Sequence, residues 1–108
     1  MSDINQIAIP PSFVNLFIEP GRPNKPTEPR AVIAERYEFC EDLAMLLVDH
    51  AQAQLWDLKI GEVEVLQRIH RGLLAGAPAA LDAAQAGWVV TRLAELLRWP
   101  PLQLADAV

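Results

Sequence analysis

Few side chains in this chain are suited to chemistry: one cysteine, Cys40, one tyrosine, Tyr37, and two histidines, His50 and His70. An imidazole changes charge near neutral pH, so two of them near an arginine and a phenol would make a plausible acid–base or anion-binding pocket. Tyr37, His50, Arg68 and His70 are therefore the candidate pocket residues. On a helical projection His50 falls beside Phe39, Leu43 and Leu46, and His70 beside Val63, Leu66 and Leu74. The plainer reading is that both are hydrogen-bonded residues at the edge of an apolar core. Glu35, Glu38 and Asp42 share one helical side, which raises the question of a carboxylate metal site. A di-iron carboxylate bundle needs Glu-x-x-His projecting inward, whereas Gln67 stands three before His70 and the three acids point away from the apolar side. They read as a solvated face, and no metal or cofactor is expected. Arg68, His70 and Arg71 form a short basic cluster that Glu62 and Glu64 balance.

The absent motifs narrow the field further. A P-loop requires G-x-x-x-x-G-K-[ST], but Lys25 and Lys59 are the only lysines and neither follows a glycine. There is no G-x-G-x-x-G, G-x-S-x-G or H-E-x-x-H, and the only serines are Ser2 and Ser12. No catalytic constellation emerges. What stands out instead is a row on the polar side of the last helix: Trp88, Arg92, Glu95 and Trp99, spaced by four, three and four. Tryptophan beside arginine is typical of interface hot spots, and Arg92 is placed to stack on either ring. Two coverings fit that row, the chain's own N-terminal arm or a partner surface.

The elements that must position these residues are helical. Arg30 to Trp56 contains no Gly and no Pro after Arg30 and is rich in helix formers. Thr27, Glu28 and Pro29 suit its start, as a capping hydroxyl, an acid at the positive end and a proline in the first turn. Its apolar arc takes in Val32, Ile33, Tyr37, Phe39, Cys40, Leu43, Ala44, Leu46, Leu47, Ala51 and Leu55. That arc covers about 200°, twice the usual stripe, so the helix needs cover from two directions. After a turn at 57–61, a second helix spans about 62–74, with Val63, Leu66, Ile69, Leu73 and Leu74 inward and Gly76 and Pro78 as stop signals. A third spans about 82–98, opened by Asp82 with Gln85 as a capping box and closed by Trp99-Pro100-Pro101. Its inner face is Ala86, Val89, Val90, Leu93, Leu96 and Leu97. Residues 100–108 are expected to fray.

Residues 1–29 hold six of the nine prolines and form an arm. Ser12 is expected to cap a short turn ending at Phe17, with Phe13, Leu16 and Phe17 lying along the helices. The fold class expected is thus all-α: one domain, a three-helix bundle over 30–99 with a proline-rich extended N-terminal arm.

Charge and composition limit the partners. A net charge of −5 lacks the basic excess of a nucleic-acid footprint. Eight acids (Glu35, Glu38, Glu41, Asp42, Asp49, Asp57, Glu62, Glu64) face only Arg36 and Lys59 within 31–67, a stretch that would attract a basic partner. The lone Cys40 permits no internal disulfide, no apolar run reaches membrane-spanning length, and the first ten residues do not read as a signal peptide. A cytoplasmic location is expected, with no nucleic-acid or membrane partner.

The segments IPPSFVNLFIEPGR, AERYEFCEDLAMLL and VLQRIHRGLL resemble a family of short proteobacterial proteins sometimes labelled "ATPase with chaperone activity". The resemblance covers most of the chain and implies a link to a chaperone system, but it brings no site residues. Lacking a nucleotide motif, the chain fits an accessory or subunit role within such a system. The expected function is a non-catalytic interaction or accessory module, with a protein partner or a second copy. The alternative is a small-molecule-binding or enzymatic helical protein using the His50/His70 pocket.

Overall fold

The computed structural model describes residues 8–19, 21–22, 25–77 and 80–104. Among these the chain is all-α, with three long helices packed together, a short N-terminal helix and no strand. It gathers into two compact units, Met1–Cys40 and Glu41–Val108.

The first unit begins at Pro10, whose fixed φ suits an N-cap. Its carbonyl accepts from the amides of Phe13 and Val14 at 2.9 and 3.1 Å. Pro11 then fills the first position of α1 (Pro11–Val14), where a missing N–H costs nothing. Ser12 lies inside this helix, so Pro10 and not Ser12 is the cap. A 3-10 turn, Asn15–Phe17, follows directly. The arm is therefore partly helical and not extended throughout. It doubles back through an isolated antiparallel bridge between Ile18 and Pro26, while the Thr27 amide donates to the Phe17 carbonyl at 2.6 Å. Thr27 is thus drawn into this turn. The next helix is capped by the Pro29 carbonyl, which accepts from Val32 and Ile33. Phe13 is wholly buried, its ring 5.5 Å from Phe17 and 5.6 Å from Tyr37, the latter edge-on. Ile33, Ala34 and Cys40 are also buried in this unit.

Helix α2 (Arg30–Leu58) runs 29 residues without interruption, about 43 Å at 1.5 Å per residue. No neighbour is that long: α3 (Glu62–Leu74) has 13 residues and α4 (Ala83–Leu97) has 15. Its residues 30–40 accordingly belong to one compact unit and the remainder to the other. Asp57 and Leu58 prolong the helix beyond Trp56, and Lys59 ends it in the left-handed region at φ 55°.

In the second unit α2 buries Leu43, Ala44, Leu47 and Ala51. Helix α3 turns Val65, Leu66, Ile69 and Leu73 inward. Val63 and Leu74, expected in that face, are exposed, because the face centres on the Leu66/Leu73 line and Val65 takes their place. Glu62 and Glu64 in the first turn and Arg71 in the last complement the helix dipole. Gly76, at φ 95°, closes α3, with the Ala77 amide donating to the Gly72 carbonyl at 2.9 Å. Asp82 caps α4, its Oδ1 accepting from the Gln85 amide at 2.7 Å. Helix α4 buries Gln85, Ala86, Gly87, Val89, Val90, Leu93 and Ala94, whereas Leu96 and Leu97 are only partly covered. The burial extends to Gly87 because the segment after Pro101 returns over α4. A Cβ at Gly87 would meet Leu104 Cδ1 at 3.0 Å. Leu104 thus lies against α4 and Leu102 is half-buried, while Pro100, Pro101 and Gln103 are exposed; 105–108 lie outside the described residues. No helix among the described residues is long and apolar enough to cross a membrane.

Candidate functional site

Helices α2 and α3 leave a cleft of about 410 Å³ between them. Leu47, Ile69, Gly72, Leu73 and Ala77 make its apolar lining, and His50, Gln54 and Arg68 its polar one. His50 and Gln54 are one helical turn apart, with their Nε2 atoms 2.8 Å from each other. Gln54 Oε1 is buried and has no hydrogen-bond partner among the described residues. Turning the amide over would let its oxygen accept from His50 and would strand the nitrogen instead, so one amide atom is left over either way. A buried polar group without a partner is costly.

Of the four residues expected in a pocket, the structure brings His50 and Arg68 together. His70 lines a separate depression of about 320 Å³ with Gln67, Arg71, Leu102, Gln103 and Leu104. Tyr37 belongs to the first unit, against Phe13. Gln54 was not singled out by sequence; its only signal was standing four residues after His50. Burial lowers the His70 pKa from its ordinary value of 6.5. The unfolded imidazole then takes up its proton first. Stability is expected to hold level above about pH 6.5 and to fall as pH drops toward the lowered folded value. Urea melts on either side of that pH should show this slope reduced in His70→Gln; an identical slope in the variant would assign it elsewhere.

The α4 row is differently occupied. Arg92 Nε and Nη2 donate to both carboxylate oxygens of Glu41, each at 2.9 Å, and Nη1 donates to Glu95 Oε1 at 3.0 Å. The guanidinium is engaged in this fork. Trp88 and Trp99 are each partly buried. The fork ties α4 to α2, with side chains 33% and 19% exposed. A half-covered bidentate pair lies between an exposed pair and a buried one. Glu41→Ala and Arg92→Ala should each cost about 1–2 kcal/mol, with a double-mutant coupling of about 1 kcal/mol. A coupling near zero in urea melts would show the fork to be incidental.

Glu35, Glu38 and Asp42 are exposed, and no group of three or more His, Cys, Asp or Glu is placed to hold a metal ion among the described residues. Cys40 is buried.

The outer face of α2 breaks most sharply with expectation. Leu46, assigned to the core-facing arc, is 76% exposed; Trp56 is 78% and Met45 56% exposed. In the first unit Val32 and Phe39 are also exposed, and the Arg36 guanidinium sits 4.8 Å over the Phe39 ring. Among the described residues only one direction of the wide arc is covered. The helix that needed cover on two sides presents the second to solvent.

Fold and surface together define a small all-α protein with one closed face and one open face on its longest helix. No family model, no curated protein and no solved structure matches the chain.

Proposed function

We propose that this chain is a non-catalytic protein-interaction module, acting as an accessory subunit linked to a chaperone system. The observation that carries the interaction reading is the exposure of Leu46 and Trp56 on α2. Large apolar side chains left in water on a regular helix forgo about 1.5–3 kcal/mol each of burial, and such surfaces mark interaction sites. The chaperone link rests on the three resembling segments. A photo-crosslinking residue at position 46 or 56, introduced in cells producing the protein, tests both parts. The same recurring adduct should form from both positions and be absent when the crosslinker replaces exposed Gln67. No adduct above that background would overturn the interaction reading. An adduct that contains no chaperone component would remove the chaperone link alone.

A second reading, a small-molecule site, is favoured by the stranded Gln54 amide beside His50 and Arg68. A ligand that binds only the folded state raises its stability. A thermal-shift series at millimolar ligand, including ATP and divalent cations, should then yield a shift that Gln54→Leu abolishes. No shift with any member would overturn it.

A further inference from the structure

Within the second unit, Asp42, Leu46, Asp49, Ala53 and Trp56 follow one another at spacings of four, three, four and three, and all five are exposed. That alternation is the seam of a coiled coil, here about 21 Å long. Its composition is unusual. One set of core positions holds Leu46 and Ala53, while the other holds Asp42, Asp49 and Trp56. Neither aspartate has an ion-pair partner among the described residues. We infer that this seam takes a basic amphipathic helix from a partner protein, with apolar residues set against Leu46 and Ala53 and Lys or Arg against Asp42 and Asp49. The inference rests on the interaction reading above and names the chemistry of the partner.

A second copy of the same helix fits poorly. In a parallel pair Asp42 would face Asp42 and Asp49 would face Asp49. In an antiparallel pair each aspartate would be pressed against Leu46, Ala53 or another core position with no cation to answer it. Either arrangement desolvates carboxylates without compensation, and the further acids Asp57, Glu62 and Glu64 add long-range repulsion. Basic residues on a partner reverse both terms. Ala53 leaves room for a longer apolar side chain opposite it. At the far end the Trp56 indole offers a face on which an arginine can stack. The uninterrupted α2 supplies a preformed docking edge.

The test uses the full chain and labelled synthetic helices of three heptads. One carries Leu and Lys at the two core positions, and a second carries Leu and Glu. Fluorescence anisotropy should show the Lys helix binding at least about tenfold tighter than the Glu helix. Added salt should shrink that advantage, and it should invert in the Asp42→Lys/Asp49→Lys double variant, whose helicity circular dichroism verifies. Equal binding of both helices, or no saturable binding of the Lys helix, overturns the inference. So does light scattering that finds a dimer which Leu46→Asp converts to monomer, since the occupant is then a second copy. If crosslinks from positions 46 and 56 to another protein persist while the Lys preference fails, only the basic-helix inference falls. If both are missing, the interaction reading falls with it.

Discussion

Leu93→Ala is expected to remove about 3–5 kcal/mol of stability from the second unit. Leu93 is wholly buried on α4, as are Val89 and Val90 on the same helix and Leu66 and Leu73 on α3. Deleting its branched end loses the transfer energy of three carbons and leaves a void that rigid helix backbones cannot close. A unit of roughly 70 residues has about 3–10 kcal/mol to lose, so the variant should be largely or wholly destabilised at ambient temperature. Urea melts followed by circular dichroism measure it, through a lowered midpoint at constant slope. Leu46→Ala is the control, a chemically identical change at a 76% exposed side chain, expected to cost within about 0.5 kcal/mol. Equal losses in the two variants would mean that α2 is covered on its outer face.

That contrast shows how far the sequence could be read. Helices were legible because their signals are local: an uninterrupted run from Ala31, the Asp82 cap realised by the Gln85 amide, the glycine stop at Gly76. How each helix is rotated was less legible. The chain is 52% apolar, and an apolar residue on a wide arc is compatible with burial without requiring it. Leu46, Val63 and Leu74 fit an inward pattern for that reason yet are exposed, while Val65 and the capping-box residue Gln85 are buried. Whether an arc is covered depends on neighbours distant in sequence. The Arg92–Glu41 fork joins residues 51 positions apart, so beside Arg92 only the contact to Glu95, three residues on, was legible. The candidate pocket was half legible for the same reason. His50 and Arg68 converge across two helices, His70 turns into another depression, and the group that distinguishes the cleft is an amide that no motif marks.

The open face follows from the same imbalance. An α2 of 29 residues outreaches its 13- and 15-residue partners, and its arc is wider than one layer of helices can hide. Acids interleaved with Leu46 and Trp56 keep that face hydrated while it is empty. Under the proposed basic-helix docking, the same acids would oppose pairing of two copies and favour a chain of opposite charge.

Phe13→Ala is the second large effect, and it should be local. Phe13 is wholly buried and makes two aromatic contacts, with Phe17 and Tyr37. Truncating it should cost about 3–5 kcal/mol, including about 1 kcal/mol for each ring pair. Regular structure among the described residues of the arm is short, since α1 is four residues long and the bridge between Ile18 and Pro26 is isolated. An entropy cost of about 1–2 kcal/mol per ordered backbone residue then outweighs what the arm's remaining contacts retain. Residues 8–28 are expected to release, while α3, α4 and the second half of α2 stay folded. Hydrogen exchange reads this out residue by residue: protection should vanish at the amides of Phe13, Val14 and Thr27 and persist at those of Ile69, Val90 and Leu93. Limited proteolysis should cut the variant within the arm and spare the rest. If protection falls equally at Val90 and Leu93, the two compact units unfold as one cooperative body, and the arm is a strut of the whole fold.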